Sequence, residues 1–191
     1  MSLSALPPVE LADGAGSIRL HRRDVTLVNP VVASHGEHRT RRVVLIEVTC
    51  TDGTTGWGEC GAPDDAGYTG ETADGAAAFL DTHLVAAIGS RRDVSAGMVS
   101  TLFTTIDPDA EARHPMALRA VEMALLDAQL RANDTAFESM FGAQPHRVAL
   151  AGATLGNTGD ASLIEVTLAD AERAVGEGYG RLKIKIGRAH V

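Results

Sequence analysis

Two lysines, Lys183 and Lys185, stand in the run "RLKIKIG", and the chain has no others; the rest of its 17 basic side chains are arginine. Arginine keeps its proton in a protein, whereas a lysine can give one up once burial or a neighbouring cation lowers its pKa. Residues two apart on a strand share a face, so each ammonium would feel the other. Leu182, Ile184 and Ile186 would point the opposite way. Two readings follow from this placement. One is a proton-transfer lysine with a cationic helper; the other is a solvated edge strand whose lysines deter aggregation.

Carboxylates in the apolar stretch "ALRAVEMALLDAQLRA" invite a catalytic reading too. Glu122 lies three after Arg119 and Asp127 four before Arg131, however, and these are the spacings of ordinary helical ion pairs. Glu59, two after Trp57, reads as a hydrogen-bonding residue of the loop rather than a metal ligand.

The elements that must position these groups follow from composition and period. The 191 residues have room for one large domain, or a small one plus part of another. Hydrophobic residues make up 45% of the chain but aromatics only 4%, so alanine, valine and leucine must build the core. A formal net charge of −8 without a basic run disfavours nucleic acid and anionic membranes as partners. No apolar segment approaches the roughly 20 residues that cross a bilayer. Residues 1–16 lack the charged-then-apolar order of a signal peptide and read as a flexible Pro/Gly extension.

Cys50 and Cys60 flank the turn "TDGT" of a predicted hairpin. Pairing about Asp52-Gly53 sets Cys50 opposite Thr55 and Cys60 opposite Leu45, roughly 16 Å out of register at strand rise. A disulfide needs Cα atoms within about 7 Å. Both therefore read as reduced thiols of a cytoplasmic protein.

Residues 17–28 read as a strand, 29–40 as a polar loop holding His35, His38 and Arg39, and the hairpin completes three early strands. Helices are predicted from Glu71 to Ile88, over 93–105 with Asp93 or Ser95 as cap, and from Pro115 to about Ala132 with Asn133 closing the end. After Phe141 the pattern becomes strand, helix, strand: "HRVALAGATLG", "SLIEVTLADAERAVGEGYG" and "RLKIKIG". Short links make this a βαβ unit with parallel strands.

The segments "GWGEC", "YTGET", "ALRAVEMALLDAQLRA" and "GYGRLKIKI" together resemble the enolase superfamily in its muconate-lactonising branch. The likeness is greatest to o-succinylbenzoate synthases, including those that also racemise N-acylamino acids, and it spans residues 17 to 186. It implies an α+β capping domain, a three-stranded antiparallel sheet plus helices, over 17–142. From 147 to 191 it implies the first βαβ of a truncated (β/α)₇β TIM-like barrel. Catalysis in such proteins sits at the carboxyl ends of the barrel strands, beneath capping loops.

The chemistry the resemblance implies is removal of a proton alpha to a carboxylate, with Mg²⁺ stabilising the enediolate. Lys185 matches the acid/base lysine and Lys183 its electrostatic partner. A like charge next door and partial burial would both favour the neutral amine a base needs. Thr154, at the end of the first barrel strand, matches a position where relatives often place a hydroxyl near substrate; the competing reading is a threonine bonding its own loop. The stretch Pro30 to Arg39 matches a capping loop that sets substrate preference. That makes Ser34 and His35 candidate substrate contacts, although Val32 stands where many relatives have arginine or an aromatic; the competing reading, a solvated loop histidine, is the commoner one. Tyr68 matches the second capping loop; the competing reading is a buried anchor. The implied partner is a small carboxylate substrate, and a homo-oligomer is left open for the full-length protein.

A whole barrel takes about 250 residues, and 147–191 can hold two strands and one helix. The family's acidic Mg²⁺ ligands lie on the third to fifth strands and its second lysine arm on the sixth, so the chain is expected to be an N-terminal fragment, inactive alone. The closing "IGRAHV" fits no approach to a third strand. The activity expected of the whole is an o-succinylbenzoate synthase-like lyase of menaquinone synthesis. N-acylamino-acid racemase, dipeptide epimerase and muconate cycloisomerase share the lysine pair, and a non-catalytic capping or association module is the reading from another class.

Overall fold

The apolar alternation of "RRVVLIEVTC" predicts a strand with one buried face, and the computed structural model carries it: Val44, Ile46 and Val48 are fully buried. Residues 6–12, 17–33, 36–67, 69–89, 91–142, 152–155 and 164–184 are described. The chain divides into two compact units, one of Met1–Val25 with Arg42–Gln144, the other of Thr26–Arg41 with Pro145–Val191.

Three strands, β1 (Ile18–Ala33), β2 (Gly36–Thr49) and β3 (Thr55–Cys60), form a sheet in the order β1-β2-β3. The polar stretch expected as a loop over 29–40 is instead mostly strand. β1 runs through Ala33 and β2 begins at Gly36, because ladder hydrogen bonds satisfy the backbone whatever the side chains are. The β2–β3 register differs from expectation by one residue. Cys60 pairs with Val44, not Leu45, and Thr49 pairs with Thr55. The cause is a three-residue turn in which Gly53 takes a left-handed φ of 85° and Asp52 Oδ1 accepts from Thr54 N at 2.8 Å. Cys50 N then donates to Thr54 O. Neither Cys50 nor Cys60 is in a disulfide, and both are buried.

α1 (Ala73–Ile88) starts at Thr72, whose Oγ1 accepts from Gly75 N at 3.1 Å, and buries Ala77, Leu80, Leu84 and Ile88. The helix expected over 93–105 splits into a 3₁₀ turn at Ala96–Met98 and α2 (Val99–Ile106); Ser95 makes no side-chain cap. A short α3 (Ala110–Arg113), which the period did not predict, leads to α4 (Pro115–Ala132). Asn133 closes α4 by donating from Nδ2 to Gln129 O at 2.8 Å.

α4 lies directly on β3, and glycine is the reason. A Cβ at Gly58 would overlap the Ala120 carbonyl oxygen, and one at Gly56 would stand 2.7 Å from the Ala128 Cβ. With Ala120, Ala124 and Ala128 one turn apart, two strand glycines face a stripe of small helix residues. The "GWGE" motif is therefore a packing device in this fold.

Residues 6–12 correct the expectation of a flexible extension. Leu6, Val9 and Leu11 are buried, with bridges from Val9 to Val94 and from Leu11 to Cys50. The polar anchor is Gln129, buried inside α4. Its Nε2 donates to Leu6 O at 3.2 Å and Pro7 O at 2.7 Å, and its Oε1 accepts from Ala96 N at 2.9 Å.

In the second unit β4 (Ala153–Leu155) and β5 (Leu182–Ile184) pair in parallel, joined through α5 (Ile164–Gly176). This is the expected βαβ. α5 closes through Gly178, whose φ of 92° lets Tyr179 N reach back to Ala174 O at 3.1 Å.

Candidate active site

The parallel ladder sets Thr154 of β4 beside Lys183 of β5, flanked by the pairs Ala153–Leu182 and Leu155–Ile184. A strand-end threonine and a lysine thus meet at one register position although 29 residues separate them in sequence. Gly152 makes the approach close, since a Cβ there would stand 3.3 Å from Arg181 O. Lys183 is exposed, so the burial expected to act on the lysine pair does not act on this member of it. Lys185, Ser34, His35 and Tyr68 lie outside the described residues, and Thr154 is described in its backbone.

Other polar residues that tempt a catalytic reading are engaged structurally. Glu122 pairs with Arg119. Asp127 receives Arg131 Nε at 2.9 Å and Trp57 N at 3.0 Å, so it also satisfies a backbone donor on β3. Glu59 stands exposed on β3 rather than in a loop. Among the described residues no group of three or more His, Cys, Asp or Glu side chains is placed to hold a metal ion. The residues described here therefore do not fit a Mg²⁺ site.

Sequence reasoning missed the carboxylate that organises the connection between β3 and α1. Glu71 is buried at 5% exposure and accepts from Met116 N at 2.7 Å and Ala117 N at 2.9 Å. Those are orphan amides of the first turn of α4, where the helix dipole favours an anion. His114 stacks on Phe79 with centroids 4.2 Å apart and holds Nδ1 3.9 Å from Glu71 Oε1. Nothing in the local period could reveal this, because Glu71 meets its partners 45 residues further on. Arg42 was missed for the same reason. It donates to Asp24 and Asp74, which pushes its own pKa up, and its hydrogen bond and charge hold the Asp24 carboxyl below the usual carboxylate range.

The profile of the mandelate racemase / muconate lactonizing enzyme N-terminal domain matches residues 17–142. The chain belongs to that family. Among curated members, an N-succinylamino acid racemase from an Amycolatopsis species is 32% identical over 173 residues, which cover 88% of this chain and 43% of the racemase. An o-succinylbenzoate synthase of Listeria innocua is 27% identical over 168 residues, 88% of this chain and 42% of the synthase. A solved enolase-superfamily structure from Listeria innocua superposes with a TM-score of 0.74 at 25% identity. The match covers 95% of this chain and 44% of that one. The chain thus spans less than half the length of the relatives it matches. Among the described residues no helix is long and apolar enough to cross a membrane.

Proposed function

We propose that this mandelate racemase / muconate lactonizing enzyme domain, with the βαβ unit after it, is the N-terminal part of an o-succinylbenzoate synthase-like lyase acting on a small carboxylate in the cytoplasm, within menaquinone synthesis. The cap is 17–142, and 147–191 begins the barrel. Lys185 is the acid/base residue: its neutral amine takes the proton alpha to the carboxylate and returns it to the leaving hydroxyl as water departs. Lys183 is its electrostatic partner, since like charges side by side disfavour each other. Thr154 orients the substrate with its hydroxyl, and Ser34, His35 and Tyr68 contact it from the capping loops. Mg²⁺ is held by acidic residues outside this chain, which is inactive alone.

The observation that supports this reading best is the register of Thr154 with Lys183 on parallel strands that follow a family domain spanning 17–142. The test is the longer gene recovered from the same DNA. Its product dehydrates the cyclohexadiene carboxylate precursor, while the 191-residue chain does not. Lys185→Ala lowers turnover and solvent-deuterium exchange at the alpha carbon by about 10²–10⁴-fold. Unchanged exchange in that variant overturns the assignment.

A second reading is racemisation of N-succinylamino acids, favoured by the 32% identical relative that carries that name. It uses the same two lysines, so loss of chirality in an N-succinylamino acid, against loss of water from the precursor, separates the two. A non-catalytic association module predicts neither.

A further inference from the structure

Arg42 holds both ends of the connection that joins β3 to α1. Its main-chain N–H donates to Asp64 Oδ1 at 2.9 Å. β3 ends at Cys60, opposite Val44, so this donor of β2 has run past its last strand partner and the Asp64 carboxylate takes the vacant place. Ten residues later the same connection ends in α1, where Asp74 Oδ2 receives Arg42 Nη1 at 2.7 Å. Nε of the same guanidinium donates to Asp24 Oδ1 on β1 at 2.9 Å. Ala73 N donates to Pro63 O at 2.7 Å and closes the loop between these two anchors.

An isolated exposed ion pair contributes little, and each of these partners is partly in water. The arrangement differs because one planar fork spans two carboxylates while its backbone engages a third. β1, β2, the connection and α1 therefore share one fastening.

We propose that Arg42 is a positioning residue for the 61–72 connection: it staples the two ends of that segment to the strand pair, so that a disturbance at Asp24 on β1 is felt in the connection through the shared guanidinium. On the function proposed above this connection is a capping loop, and Arg42 then bears on substrate preference rather than on proton transfer. That clause rests on the proposed function; the stapling does not.

Hydrogen exchange on the 191-residue chain tests it. Arg42→Met keeps the backbone donor and removes the fork. It raises exchange of the hydrogen-bonded amides of the connection, Gly67 and Ala73, about tenfold and leaves the α4 interior, 117–130, as the unchanged control. Arg42→Lys restores part of the protection, since an ammonium holds one carboxylate at a time. The decisive variant is Asp24→Asn, expected to raise exchange in the connection about threefold. Exchange there that ignores Asp24→Asn, or that does not respond to Arg42→Met, overturns the proposal. Whether the longer protein abstracts a proton is read separately by deuterium incorporation, so the two ideas fail independently.

Discussion

Replacing Gly58 by alanine tests the central packing of the capping domain with a single methyl. The added Cβ would overlap the Ala120 carbonyl oxygen and stand 2.7 Å from the Ala124 nitrogen. Both are backbone atoms of α4, so no rotamer change makes room, and β3 and α4 must part. Parting them loosens Val44, Ile46, Leu118 and Val121, all at 0% exposure. Overpacking of this kind costs about 1–3 kcal/mol, occasionally more, and backbone on both sides sets the expectation at about 3. The alanine also removes unfolded-chain entropy, a gain of roughly 0.4–1 kcal/mol that does not reverse the sign. At about 2–4 °C per kcal/mol for a chain of this size, the net loss of about 2–2.6 kcal/mol lowers Tm by about 4–10 °C. Trp57 is the only tryptophan and adjoins the site, so its fluorescence in a urea titration reports the loss directly. Gly61→Ala, with nothing within 4 Å of its added Cβ, is the matched control and stays within about 0.5 kcal/mol. Ala120→Gly does not rescue Gly58→Ala, because the overlap is with an oxygen of the main chain. A Gly58→Ala loss below about 1 kcal/mol refutes the close-approach argument.

Gln129→Leu leaves the buried Ala96 N–H without an acceptor and frees the carbonyls of Leu6 and Pro7, at a cost of about 1–3 kcal/mol. Limited proteolysis then cuts within 6–12, and a variant as resistant as the parent contradicts the anchor. In acid, Asp24, Asp52 and Asp107 contribute to the pH dependence, Asp52 being lowered by its hydrogen bonds from Thr54. Arg42 lowers Asp24 by its hydrogen bond and charge. At Asp107 desolvation pushes upward, but the Arg113 and Asp109 hydrogen bonds and the Arg113 charge outweigh it, so the net direction is down. A carboxyl lowered in the folded state stabilises above its unfolded pKa, about 3.9, and that contribution is lost as pH falls through the lower folded value. Tm therefore drops below about pH 4, and Asp24→Asn with Asp107→Asn flattens the drop; equal slopes in parent and variant speak against it. Cys50 and Cys60 are buried, and burial first, then the Asp52 charge, pushes the Cys50 thiol up. Ellman's reagent should find both thiols only after denaturant is added, and rapid reaction of the native chain would count against this packing.

Much of the fold is legible from short-range pattern. α4 begins at Pro115 and ends at Ala132 as its proline, apolar period and Asn133 indicate, because each of those signals acts within one turn. The parallel βαβ is equally local in origin: a glycine-closed helix between two short apolar strands admits little else. Other features escape pattern reading. Residues 29–33 and 36–40 look like loop by side chain, yet lie in strands by main chain. The β2–β3 register turns on one left-handed glycine and shifts every pair by a residue.

By itself the sequence determined the order of the longer elements, the superfamily likeness and the adjacency of its two lysines, since period, caps and motif spacing are properties of neighbours along the chain. Tertiary structure alone decided that Gly56 and Gly58 exist to admit α4, that Gln129 holds residues 123 positions away, and that Arg42 gathers Asp24, Asp64 and Asp74. Those partners are chosen by distance in space, and a buried or networked polar group is satisfied only where the folded backbone delivers its mate.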